Sequence, residues 1–550
     1  MAGGAGCGAC GLQGEQGIKV VVPAMPTTLD WSTSDPTSWV NYPVMLATQR
    51  GLTSLGPDHS PQPGLAERWE RETLPDGRER YVFHLRRDVR WSDGVTPLTA
   101  RDFVVGWRRA AVGLERGDMG DVSGVREVMA LLAAQAPREE VQRALEGVGV
   151  RALDEHTLEV LLRSPRSYFL ARLANVYLFF PAPAKALEGL DEDGARAYFD
   201  RPKDGHPLAL GPWRVEAWDR AGERVRLRRN GHTAFPPARV GEAGMVQPEL
   251  VTLMRSEIGS ALYKRNRAQF VFIDNAAALR QERPADLQRR PLLSTYFVGI
   301  NTQRPGLDRP EVRRALAMAI DREALLADLL PAARTSRTLL PRDLPGAATA
   351  EEEERLVGED PDAARAALQG AFGDRPLRLI YRAGESFVPE VAIVERLKAQ
   401  LARVGVKVEL EPRYDFSSEL ARKGPDGVRT WDLYVRRVGA DYAHPNTFFT
   451  LFNSTGNHHT GWETIDGGAP IRRFEALLSR ADAEPDMERA RPLYVEAQAL
   501  LLKEAAVIIP IYHPDRYFRR APALSGLEVD PFNFLSLRDL VVRDEPETSR

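Results

Sequence analysis

The chain is 550 residues long, 43% hydrophobic and 27% charged, with a formal net charge of −3 at pH 7. That composition supports a core of good size and about three to four domain-sized units. Nothing in the charge points to nucleic acid, and the chain has no basic blocks of the kind phosphate-backbone binding needs; no apolar run reaches the roughly 18 residues of a membrane-spanning helix.

The only two cysteines are Cys7 and Cys10. The body therefore holds no internal disulfide and no thiolate metal site. The start, MAGGAGCGACG, lacks the apolar segment of a signal peptide. Gly4, Ala5 and Gly6 nevertheless precede Cys7 as small residues precede the lipidated cysteine of a bacterial lipoprotein. Two readings stay open: Cys7 is a lipid attachment point with the true start upstream, or both cysteines are surface thiols.

In chain order, residues 18–22 form a short apolar strand that ends at Pro23 and begins the folded body. Residues 26–39 are a polar loop with Trp31 and Trp39, and residues 44–50 a short helix stopped by Gly51. Pro75-Asp76-Gly77 makes a hairpin turn. Beyond it Tyr81, Phe83 and Leu85 alternate with Val82, His84 and Arg86, as in a half-buried strand. Thr99 N-caps a helix, with Asp102 three residues on in a near capping box. Phe103, Val104 and Trp107 give that helix its apolar face. Residues 121–150 are helical, 156–162 a strand and 168–177 a helix, and Gly211-Pro212-Trp213 opens a second hairpin.

Near residue 295 the character changes. Residues 295–300 are a continuous apolar strand of the type buried on both faces. Asp308 and Pro310 introduce a helix whose Val312, Ala315, Leu316, Ala319 and Ile320 fall on one face. Strand 377–381, helix 388–404 and strand 406–410 follow in the order of an α/β lobe with parallel strands. Residues 485–503 are helical, and 507–512 return as a buried strand.

The stretch 431–452, WDLYVRRVGADYAHPNTFFTLF, belongs to the same lobe. Trp431, Leu433 and Val435 alternate as in a half-buried strand, which breaks at Gly439. Asp441 and Tyr442 then precede a His444-Pro445 turn. An isolated carboxylate is too costly to bury alone, so Asp441 meets either a ligand cation, such as a peptide α-ammonium, or an internal arginine. It could equally cap the turn.

Several stretches together resemble the peptide- and oligopeptide-binding proteins of bacterial ABC importers, the family 5 extracytoplasmic solute-binding class. They are LDW from Leu29, GLAERWE from Gly64, YVFHLRRDVRWSDG from Tyr81, LTARDFVVGWRR from Leu98 and GPWRVEAW from Gly211. YFVGINTQRPGLDRPEVRRALAMAIDRE from Tyr296, GADY from Gly439 and IIPIYH from Ile508 follow in the family's order.

The resemblance implies an α/β, two-lobed periplasmic-binding-protein fold of the class II type, with an extra domain inserted in lobe 1. A flexible lipoprotein-like segment would occupy residues 1–17. Lobe 1 would comprise 18–55, 205–295 and 510–550, with 56–204 inserted, and lobe 2 would be 296–509. The resemblance assigns Asp441 to the α-ammonium of a bound peptide, beside Tyr442. It places Thr37, Ser38 and Trp39 along the peptide backbone and Tyr414 in a pocket wall. Tyr296 and Phe297 would follow the inter-lobe crossing, and His513 would complete the ligand-binding set. The chain departs from the family at Val438 and Gly439, where a Trp and a Cys are usual, and at Val435, which replaces an Arg and is followed by Arg436 and Arg437.

The implied partners are a peptide, a membrane permease with its ATPase subunits, and the membrane through a lipid on Cys7. A monomer in the periplasm or cell envelope is expected, without nucleic acid, cofactor, metal or catalytic residue. One rival is a non-peptide solute such as a metal chelate, sugar or opine, for which His444, His458, His459 and His513 could serve a metal. A second is a hydrolase, although the chain has no G-x-S-x-G elbow, H-E-x-x-H or P-loop. A third is a signalling or chaperone-like lipoprotein that keeps the fold without import.

Overall fold

Ile18, Val20, Val21 and Val22 are all buried because strand Ile18–Val22 lies mid-sheet. It runs parallel to Leu250–Arg255 on one side and Phe270–Phe272 on the other. The computed structural model that shows this describes residues 17–33, 40–56, 58–113, 119–203, 205, 207–242, 244–273, 279, 287–330, 333–383, 389–454, 456, 458 and 460–543. The sheet has seven strands, in the order Gln288–Pro291, Asp515–Arg520, Phe270–Phe272, Ile18–Val22, Leu250–Arg255, Arg224–Arg229 and Trp213–Asp219. The last two are the hairpin opened by Gly211-Pro212-Trp213.

Between the first strand and that hairpin lies a separate four-stranded sheet, ordered Ala66–Thr73, Glu79–Leu85, Thr157–Leu162 and Val150–Ala152. Tyr81, Phe83 and Leu85 point inward, as their alternation predicts. Helix Ala100–Val112 starts at Thr99, whose N–H donates to Asp102 Oδ2 at 2.8 Å. Asp102 Oδ1 also accepts from Ala184 N–H at 2.8 Å, which ties the capping box to the following segment.

The second large sheet has six strands, in the order Arg334–Thr335, Ile508–His513, Ser294–Ile300, Leu433–Gly439, Leu377–Arg382 and Val408–Arg413. The expectation of a parallel lobe holds for one half only. Leu377–Arg382 is parallel to both its neighbours, whereas Ser294–Ile300 is antiparallel to both of its own. Leu433–Gly439 is also not the half-buried strand expected, since Leu433, Tyr434 and Val435 are all buried. The sheet separates two apolar cores. Phe297, Ile380, Tyr434 and Ile508 pack on one, and Tyr296, Val298, Leu379, Leu433 and Ile509 on the other. Gly299 faces Tyr434 across the ladder, and a Cβ there would lie 2.0 Å from the ring. Only glycine leaves that ring its place.

The chain passes from the first sheet to the second between Pro291 and Ser294, and returns between His513 and Asp515. Leu292 N–H donates to Pro514 O at 3.1 Å, so the two passages lie side by side. The borders expected at 296 and 510 therefore fall inside strands of the second sheet. Pro510 did not mark the return because it sits at a register shift opposite Phe297, where a missing N–H is tolerated.

Candidate functional site

Strand Leu433–Gly439 carries Asp441 to the side of the two passages. Gly439 is paired with Ser294, and Ala440 N–H still donates to Leu293 O at 2.8 Å. The chain then turns, and Asp441 N–H is held by Thr447 Oγ1 at 3.1 Å. The Asp441 residue is exposed. Tyr442, by contrast, is buried and anchors the turn. Its hydroxyl donates to Asn446 Oδ1 at 2.7 Å, and its ring stacks on Tyr168 with centroids 5.7 Å apart.

The other expected site residues that are described lie in cores or in solvent. Thr37, Ser38, Trp39, Cys7, Cys10 and His459 lie outside the described residues. Tyr414 follows the edge strand Val408–Arg413 and stands 92% exposed, in solvent rather than in a wall. Phe297 is fully buried and packs against Tyr434, Phe452 and His458. Tyr296 is buried on the opposite face, 5.5 Å from the Tyr512 ring. His513 is buried too, and its Nδ1 donates to Ser294 O at 3.1 Å. Burial pushes this imidazole down to about 4, so it is neutral. All three belong to strands flanked on both sides, where side chains meet a core.

His444 and His458, two of the histidines a metal could use, are engaged internally. His458 Nδ1 lies 3.2 Å from the Tyr434 hydroxyl, and His444 Nδ1 accepts Asn446 N–H at 3.2 Å. The departure at Val435 places that residue in a core, while Arg437 Nη1 donates to Ser294 Oγ at 2.7 Å. Burial, with Arg516 nearby, lowers the Arg437 guanidinium to about 10, which leaves it charged. Glu390, at the start of helix Glu390–Arg403, is pushed up to about 7 by burial, against the pull of Arg382 and Arg437. The Tyr296 and Tyr512 hydroxyls are buried without a hydrogen-bond partner. Together these groups form a polar cluster within the fold.

Sequence reasoning missed a second polar set beneath the Asp441 turn. Asn446 Nδ2 donates to Asp482 Oδ2 at 2.6 Å, and the Tyr494 hydroxyl donates to Asp482 Oδ1 at 2.8 Å. Asp482 and Tyr494 lie on helices Ala469–Ala483 and Met487–Ala499. Burial pushes Asp482 up to about 7, opposed by hydrogen bonds from Tyr494 and Asn446 and by the Arg166 charge. Burial, then the Arg172 charge, pushes His444 down to about 3.

The two shifts have opposite consequences. Asp482 has a raised folded value, so its contribution is present at low pH and is lost as pH rises through about 7. His444 has a depressed value, so its contribution is present above 6.5 and is lost as pH falls toward about 3. In the native protein they offset each other. Asp482→Asn removes only the first, so between about pH 6.5 and 4 the variant is expected to lose roughly 2 kcal/mol more than the native protein. Thermal midpoints across that range check this, and parallel curves would contradict it.

The family model of the bacterial extracellular solute-binding proteins, family 5 Middle, matches residues 60–460. The chain is 26% identical over 517 residues to the probable deoxycholate-binding periplasmic protein YgiS of Escherichia coli, covering 91% of this chain and 89% of that one. It is 25% identical over 494 residues to the periplasmic oligopeptide-binding protein OppA of Escherichia coli, covering 84% and 81%. The fold superposes on Listeria monocytogenes OppA bound to peptide with a TM-score of 0.70 at 20% identity, over 96% of this chain and 99% of that one. The unliganded open form of the murein tripeptide-binding protein MppA also gives 0.70, at 22% identity over 96% and 98%. The α/β, two-lobed fold expected from the sequence is the one these structures share, and with the family model spanning well over half its length, the chain belongs to the bacterial extracellular solute-binding proteins, family 5.

Proposed function

We propose that the protein captures peptides between its lobes outside the cytoplasm and delivers them to the permease and ATPase of an ABC importer. The observation that carries this reading is the exposed Asp441, its backbone N–H held by Thr447 Oγ1, beside the two passages between the sheets. Such a carboxylate meets a peptide α-ammonium by a charge-assisted hydrogen bond, roughly twice as strong as a neutral one. Strand edges hold the peptide backbone in a way that tolerates many side chains. The passages at Leu292–Leu293 and Pro514 act as the hinge, with residues 56–204 as the inserted unit of lobe 1. Ligand contacts to both lobes shift the population toward the closed form. The protein acts as a monomer in the periplasm or cell envelope, held to the membrane where Cys7 is lipidated. It performs no reaction on its ligand.

The relative named for deoxycholate gives a second reading, an amphipathic anion in place of the peptide. Calorimetry with di- to pentapeptides, their N-acetylated forms and deoxycholate separates the two. Free-amine peptides are expected to bind and the acetylated forms to bind far more weakly. Binding of deoxycholate with no response to any peptide overturns the peptide reading, and cleaved peptide in the recovered sample overturns the non-enzymatic one.

A further inference from the structure

Residues 166–175 belong to the inserted unit, yet they reach the turn that carries Asp441. Ser167 N–H donates to Asp482 O at 2.7 Å, and Ser167 Oγ lies 3.2 Å from His444 Nε2. Because His444 Nδ1 accepts the Asn446 amide, Nε2 carries the proton and donates to Ser167. The Tyr168 ring stacks on Tyr442, and the Arg172 guanidinium lies 5.1 Å from the Tyr442 centroid. Tyr168 and Arg172 thus close over Tyr442, the residue next to Asp441, and Ser167 holds His444 in the same turn.

The groups behind this contact fall into two sets. On the inserted unit, Asp121 accepts from Arg166 at 3.0 Å, from the Tyr168 hydroxyl at 2.7 Å and from Arg172 at 3.0 Å. On the second lobe, Asp482 accepts from Asn446 and Tyr494, and Asn446 accepts from Tyr442. Each set keeps its hydrogen bonds when the units part. The contacts that separate include the Tyr168–Tyr442 stack, the tilted Tyr168–His444 ring pair with centroids 5.4 Å apart, the Arg172–Tyr442 cation–π contact and two hydrogen bonds, all of polar or amphipathic groups that water accepts at small cost. That composition suits a contact made and broken in each cycle.

We propose that Tyr168 and Arg172 are positioning residues for Asp441. By docking on Tyr442 they fix the Asp441 turn in its ligand-holding geometry only when the inserted unit has closed onto the second lobe. The inference rests on the capture reading, and it makes closure and recognition of the ligand's amino end one event. The coupling is reciprocal: ligand on Asp441 favours docking, and docking favours ligand.

Two measurements on the full chain test it. With Cys7 and Cys10 changed to serine, spin labels are attached through Leu153→Cys and Val391→Cys, sites that are 51% and 54% exposed on the two units. The short-distance population is expected to fall in Arg172→Ala and to recover in Arg172→Lys. Equal distributions in native and Arg172→Ala overturn the proposal, whatever the ligand proves to be. The second measurement is trialanine affinity in a double-mutant cycle. Arg172→Ala is expected to weaken binding about tenfold in the native background and less than about twofold beside Asp441→Asn. Additive losses mean that Arg172 acts elsewhere and also overturn the proposal. A native protein that closes but binds no peptide fails the capture reading and leaves the docking result standing. Should Arg172→Ala not fold, Ser167→Ala removes the His444 contact and is expected to shift both readouts in the same direction.

Discussion

Asp441→Asn is expected to lower affinity for free-amine peptides on the order of 100-fold, about 2–3 kcal/mol, while leaving their N-acetylated forms nearly unaffected. The amide keeps the size of the side chain and can still accept a hydrogen bond, so only the charge is lost. Folding should be unchanged, because Asp441 is exposed and its backbone N–H, held by Thr447 Oγ1, is retained. Calorimetry on the two ligand series checks the effect, and equal losses in both would show that the carboxylate does not read the amino end. The effect should also shrink at high salt, though less than for a surface pair, because a closed cleft screens poorly.

The largest effect on stability is expected at Arg313. This side chain is 0% exposed on helix Pro310–Met318. Its Nε and Nη2 donate to Ala505 O at 2.8 and 2.6 Å, and its Nη1 donates to Leu307 O at 2.7 Å and Asp308 O at 2.9 Å. Burial lowers it to about 10, which leaves it charged near neutrality. Arg313→Leu fills much of the space but strands the buried carbonyls of Leu307 and Ala505, each costing about 1–3 kcal/mol, and releases the part-buried one of Asp308. A net loss of about 3–5 kcal/mol is expected, read as a lowered denaturation midpoint. Arg313→Lys should recover only part of it, since a compact ammonium cannot span carbonyls on two sides. An unchanged midpoint for the leucine variant would refute the assignment.

Local pattern made most of the fold legible. The alternation of Tyr81, Phe83 and Leu85, the Thr99–Asp102 cap and the continuous apolar run 295–300 all specify their elements through neighbours a few residues away. Helix Ala469–Ala483 is equally legible in the chain, with Pro470 in its first turn and Ile471, Phe474, Leu477, Leu478 and Ala481 on one face. The sheet partners of Ile18–Val22 were not legible, because Leu250–Arg255 and Phe270–Phe272 join it across more than two hundred residues.

The site divides in the same way. The turn around Asp441 could be found from its own stretch. Tyr296, Phe297 and His513 look like ligand groups in sequence because buried strands and aromatic pockets share a composition; only sheet order shows that both faces of their strands meet a core. The clamp on Tyr442 had no signal at all, since Ser167 and His444 stand 277 residues apart.

The adjacency of Leu292 and Pro514 has a consequence for how such chains change. Everything from Ser294 to His513 is one unbroken stretch whose two ends meet. A stretch whose ends meet suits circular permutation and domain insertion, with a splice of a few residues at each cut. New termini between Leu292 and Pro514 would leave the half that bears Asp441 continuous.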